Sequence, residues 1–271
     1  MKLRLSATCL AGIALSTTLY ASILPTFHLE PGALKTFENY VAQFERNVAD
    51  PFEQSGKTWA DGTSCCARNS ALANGKPVVE PRENADIAGG SIHHFSGVIY
   101  IKGATIADVK HIMQDYSNYP KYFKPDVSKG SGSIGPDSTP ADEHFTSQMS
   151  LIQQTLWIAV SYDCIYETHY RLLDPHRWES KSTSASIKEW RDPRDVSRGY
   201  YPEGDDHGFL WRTNTYWFVR EGTGGVNVEL DSMTLSRPIP AGFAWWGSKR
   251  TKDAVDKMLR DVKVAVDALH S

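Results

Sequence analysis

Apolar residues recur at Leu34, Phe37, Tyr40, Val41, Phe44 and Val48. Spacings of three and four place them on one face of a helix, predicted over Ala33–Val48 between Pro31–Gly32 and Asp50–Pro51. The stretch 51–90 has no sustained period, because Gly, Pro, Asn and charge interrupt every run. It predicts irregular chain with short strands at most. From Gly90 the pattern sharpens: SIHHFSGVIYIKG predicts a strand over 91–101. Thr105 is placed to cap a helix whose stripe is Val109, Ile112 and Met113, and a short turn follows through Tyr122 and Phe123 to Pro125.

Strand-like segments then follow at 143–155, 157–172, 176–189, 208–220 and 225–236. The clearest puts Ile158, Val160, Tyr162, Cys164, Tyr166, Thr168, Tyr170 and Leu172 on one face, with Asp163, Glu167, His169 and Arg171 on the other. The strand at 176–189 carries Trp178, Ser180, Ser182, Ser184 and Ser186 on its even face, which reads either as a cavity wall or as a face exposed beyond the covering helix. Residues 191–208 form a charged loop, long for an antiparallel sheet. A last helix over 247–269 sets Val255, Met258, Leu259, Val262 and Val266 opposite a lysine-rich face. The order predicts an α+β fold, a twisted antiparallel sheet with a long C-terminal helix across it and an N-terminal helical extension.

Composition narrows the picture. The chain of 271 residues is 41% apolar and carries 29 Lys and Arg against 32 Asp and Glu, with no basic block. A nucleic-acid partner is therefore not expected. Lys2 and Arg4 precede a nearly uncharged run from Leu5 to Leu24, the pattern of a secretory signal. Cleavage after Ala21 is the expectation, although Leu19 stands where a small residue is favoured; a retained anchor is the alternative. The expected organisation is a signal over 1–21, an extension over 22–90 and a ligand-binding domain over 91–271. Cys65 and Cys66 are adjacent, so a mutual bond is awkward and one of them pairs more readily with Cys164 in an oxidising compartment. Isolated buried thiols are the other reading.

The run GVIYIKGATIADVKHIMQDYSNYPKYFKPDV at 97–127 resembles the opening of the START-like, polyketide cyclase and lipid-transport (SRPBCC) superfamily. Tyr119, Pro120, Phe123, Pro125 and Val127 carry that resemblance, and the order of strands and final helix extends it over roughly 91–270. It implies a helix-grip fold, a curved sheet wrapped around the C-terminal helix with a hydrophobic ligand between them. No universal catalytic residue carries over.

The candidate ligand-lining residues are Tyr162, Tyr166, Tyr170, Trp178, Phe209, Trp211, Trp217, Val255, Met258 and Val262. Glu229 and Asp231 lie opposite Val226, Val228 and Leu230 and read as a wet surface. Trp245 and Trp246 are placed to gate a cavity or touch membrane headgroups. There is no Gly-x-Ser-x-Gly elbow, no His-Glu-x-x-His helix and no phosphate loop. The leading expectation is an exported, monomeric, non-enzymatic binder of a lipid, sterol-like or aromatic molecule, without cofactor or metal. A cyclase or dehydratase using Tyr162, Tyr166, Tyr170 and His94 is the enzymatic alternative. A protein-interaction module gripping a partner through helix 33–48 is the third.

Overall fold

A computed structural model describes residues 19–20, 24–62, 66–154, 158–239 and 244–271. The N-terminal part contains strands β1 (Leu19–Tyr20) and β2 (Phe27–His28), then helix α1 (Pro31–Phe44). Pro51 has no N–H to donate and its ring crowds the preceding turn. The helix widens into a π turn over Glu45–Ala49, where the Asp50 amide reaches back to the Glu45 carbonyl, and resumes as α2 (Asp50–Ser55). Pro51 therefore does not end the helical run, as the sequence suggested. The stretch expected to be irregular instead supplies α3 (Trp59–Gly62), α4 (Cys66–Ala73) and a ten-residue strand, β3 (Val78–Ile87).

The remaining elements are β4 (Gly90–Lys102), α5 (Ile106–Gln114), α6 (Tyr119–Tyr122), β5 (Val127–Ile134), β6 (Asp142–Gln154), β7 (Ile158–Asp174), β8 (Arg177–Glu189), β9 (Asp205–Asp206), β10 (Arg212–Gly222), β11 (Gly225–Ser236) and α7 (Ala244–Asp267). Eight strands pair antiparallel in the order β3-β4-β11-β10-β8-β7-β6-β5. β1 pairs parallel with β7 at Ile158–Ala159, and β2 pairs with β9 apart from the main sheet. Thr105 caps α5 through a capping box, its hydroxyl accepting from the Asp108 amide while Asp108 accepts from the Thr105 amide.

Both faces of the sheet are covered. On the inner face, α7 lies chiefly on β4, with contacts to β3, β11, α5 and α6. Val255, Leu259, Val262 and Val266 bury themselves against Phe95, Ile99 and Ile101. Gly97 permits the approach: a Cβ there would stand 2.6 Å from Leu259 and 3.0 Å from Val255. On the outer face, Phe37, Val41, Phe44 and Phe52 pack against Ile92, Tyr216, Phe218, Met233 and Leu235. The apolar stripe of helix 33–48 is thus spent on the chain's own sheet, which removes the surface the partner-gripping reading required. This sheet, with the C-terminal helix across one face, is the helix-grip α+β arrangement.

Candidate functional site

Period two fixes which side chains meet on the inner face. Tyr162, Tyr166, Tyr170, Trp178 and Trp217 all point there and are buried, as their parity predicted. Val255 and Val262 join them from α7, with Met258 half-buried against the same cluster. Phe209 packs half-buried beside Tyr162 and Tyr166. Trp211 does not join this set. It precedes the first residue of β10, so strand alternation does not govern it; its indole donates to Asp206 (3.1 Å) and its ring packs in the outer cluster.

The inner face is not one continuous apolar surface. Tyr170, Trp178, Trp217 and the α7 residues form one cluster, and Tyr162, Cys164, Tyr166, Ile187 and Leu210 form another. Between them runs a row set by register: Thr168 on β7 faces Ser182 on β8, which faces Thr215 on β10, which faces Ser232 on β11. Phe145 and Phe95 close its two ends. Thr168 and Ser182 share a hydrogen bond of 2.9 Å. Ser182 and Thr215 lie on central strands yet remain only half-buried, so solvent reaches the middle of the inner face. The inward serine row ends at Ser184. A register shift puts one extra residue in β8, so Ser186 turns to the opposite side, where its hydroxyl donates to Glu203.

Buried polar atoms around this face are unevenly satisfied. The Tyr170 hydroxyl donates to the Met113 carbonyl (2.8 Å), which leaves it to accept from Tyr116 (2.5 Å). Burial raises the phenols of Tyr116, Tyr162, Tyr166 and Tyr170 above their ordinary range, so they are neutral donors rather than bases. The hydroxyls of Ser147 and Tyr162 and the indole N–H of Trp178 are buried without a protein partner. At the Tyr162 end, the His207 amide donates to Glu189 (3.2 Å), its Nδ1 contacts the same carboxylate, and its Nε2 is left unpartnered. Sequence reasoning missed this pair because His207 sits in a loop where no periodicity marks a face.

His94, grouped with the three tyrosines in the enzymatic alternative, lies on the opposite face. Its Nε2 contacts Asp231 (2.9 Å), its Nδ1 contacts the Tyr40 hydroxyl (2.7 Å), and Phe44 packs edge-on against its ring. The structure does not bring those four residues together. Glu229 and Asp231 keep the predicted parity but are only 2% and 1% exposed, because the N-terminal helices cover that face. Glu229 lines a cleft of about 230 Å³ with Arg220, Asp61 and Arg68, and accepts from the Ala60 amide (3.3 Å). Burial and the neighbouring Asp231 push its carboxyl up to about 8.

Cys164 is a free thiol on the inner face rather than the bonded partner of Cys65 or Cys66. It stands on β7, whereas α4 packs on β3 and β4, at the far side of β11, β10 and β8. Burial pushes this thiol up to about 12, which suppresses the thiolate that disulfide exchange requires. Cys65 and the side chains of Cys66, Trp245 and Trp246 lie outside the described residues, as do positions 1–18 of the expected signal. Among the described residues, no helix is long and apolar enough to cross a membrane.

Fold and inner face together define a helix-grip protein with an aromatic, hydroxyl-lined sheet surface. The sequence matches no family profile and no curated protein. Solved structures similar to it include a STAR-related lipid transfer protein of Xanthomonas axonopodis, at 14% identity and a TM-score of 0.45, covering 70% of this chain and 98% of that one. Human StAR-related lipid transfer protein 5 is 12% identical with a TM-score of 0.46, covering 86% and 100%. The Zhui aromatase/cyclase from Streptomyces sp. R1128 is 10% identical with a TM-score of 0.41, covering 66% and 96%. These are the two kinds of protein to which the motifs at 97–127 pointed. At such scores the likeness carries no argument about ligand, and the fold class rests on this chain's own strand order and helix placement.

Proposed function

We propose that the chain binds a small molecule with an apolar body and a few hydroxyl or carbonyl groups, held on the inner face as cargo rather than as substrate. Lipids, sterol-like molecules and aromatic polyketide-like molecules have this chemistry. One observation carries the reading: the hydroxyl row Thr168, Ser182, Thr215 and Ser232 runs between two aromatic clusters, and solvent reaches it at the centre of the sheet. Binding sites of this type are mostly apolar, with a few polar groups that fix orientation. The unpartnered Tyr162 hydroxyl suits that orienting role.

The test is to fill the row. Thr215→Trp is expected to weaken binding of a fluorescent fatty acid or sterol by at least tenfold while the melting temperature changes little. Organic extraction of the purified wild-type protein is expected to yield a bound hydrophobic species. A folded wild-type protein that carries no such species and binds neither probe would remove the proposal.

We also propose that residues 1–21 direct export and are then removed, on the basic head and apolar run of the sequence. N-terminal sequencing of the secreted or periplasmic protein is expected to begin at Ser22. An intact Met1 on membrane-associated protein would favour the retained anchor.

A further inference from the structure

The outer face holds a cleft of about 420 Å³ between the N-terminal helices and strands β6, β7, β8 and β10. Six carboxylates line it: Glu45, Asp50 and Glu53 from the helical side, and Asp142, Glu167 and Glu179 from the sheet. Among the described residues lining it, only Arg171 and Lys181 oppose them as fixed cations, with His169 beside Asp142 at 3.1 Å. Both cations are already engaged. Arg171 bridges Glu53 and Glu179, and Lys181 pairs with Glu45. The cleft therefore stays strongly acidic.

A further observation points to what such a cleft receives. Glu179 is only 5% exposed, lines the cleft, and has an Oε2 with no hydrogen-bond partner. A buried carboxylate oxygen without a donor is costly, and a ligand N–H would relieve that cost. Tyr216 and Phe218 lie behind the same wall, buried against Phe44 and Phe52. Among the described residues, no three acidic or imidazole groups stand together as a metal-binding cluster. The negative charge is spread along the cleft rather than focused on one point.

We propose that this cleft binds an elongated aliphatic polyamine, with one ammonium at Glu179, a second near Asp50 and Glu167, and the methylene chain spanning the cleft between them. The site lies on the face opposite the inner-face ligand, so the two proposals stand or fall separately. Because the cleft joins α2 to β7 and β8, an occupant would also link the N-terminal helices to the sheet.

Calorimetric titration of the full chain at low ionic strength with spermidine, putrescine and magnesium chloride tests this. Spermidine is expected to bind with one-to-one stoichiometry and raise the melting temperature, putrescine to bind more weakly, and magnesium to bind at least tenfold more weakly than spermidine. Glu179→Gln is expected to weaken spermidine at least tenfold. Glu179 also pairs with Arg171, so Asp50→Asn is the second variant; Asp50 is exposed, and this change is expected to weaken spermidine severalfold without altering melting. Magnesium binding as tightly as spermidine, no spermidine binding at millimolar concentration, or two folded variants that bind like wild type would each overturn the proposal.

Discussion

Phe52→Ala is expected to destabilise the protein by ~3–5 kcal/mol, the range for removing a fully buried aromatic side chain. Phe52 has no exposed surface, and its ring centre stands 4.8 Å from that of Phe218. Its backbone carbonyl also accepts from Arg177 (2.7 Å), so the helical turn is held in place while the ring is deleted. The cavity left between α2 and β10 would then have little room to collapse. Chemical denaturation checks the magnitude, and limited proteolysis should show faster cleavage within residues 31–55. A loss below about 1 kcal/mol, the scale of an ordinary surface change, would mean that the N-terminal helices do not dock on this face in solution.

Glu229→Gln is expected to stabilise the protein at alkaline pH and leave it nearly unchanged near pH 5. The wild-type carboxyl holds its proton to about 8 when folded, against an ordinary 4.5. Between those values the folded chain binds more protons than the unfolded chain. The favourable contribution is full below the unfolded value and is lost as pH rises, by up to ~1.4 kcal/mol per pH unit. The loss is complete above about 8. Glutamine preserves shape and hydrogen bonding but cannot ionise, so the variant should show a shallower decline from pH 5 to 8. Some decline should remain, because Glu179 and Asp206 are raised in the same direction, to about 7 and about 6. Parallel stability curves for variant and wild type would show that Glu229 ionises freely in the folded protein.

The strand faces were legible wherever alternation ran long enough. Tyr162, Tyr166 and Tyr170 obeyed it, as did the stripe Val255, Leu259 and Val262, and Thr105 announced its helix through a capping side chain. Parity, however, says which side a residue faces and not what covers that side. Glu229 and Asp231 therefore read as wet, although α1 to α4 bury them. The region 51–90 was illegible for a different reason. α3 has four residues, and β3 carries Pro81, Arg82 and Glu83 at a bulge on the sheet edge, where one side needs no partner. The hydroxyl row was only half visible. Ser182 could be read from β8 alone, but its alignment with Thr168, Thr215 and Ser232 depends on register across four strands, which no single segment encodes.

The strand order also constrains the sequence of events in folding. β5 to β8 pair with neighbours close along the chain, whereas Ser91 of β4 finds its partner only at Ser236 of β11. Contacts between distant segments pay their loop-closure entropy before any reward, which slows their formation. The landing surface for α1 and α2 is composite: Ile92 comes from β4, Tyr216 and Phe218 from β10, and Met233 and Leu235 from β11. It does not exist until the last strand has paired. Helices α1 and α2, which precede the sheet along the chain, thus gain their seat only after β11 pairs, and until then their aromatic stripe and its future seat are both exposed.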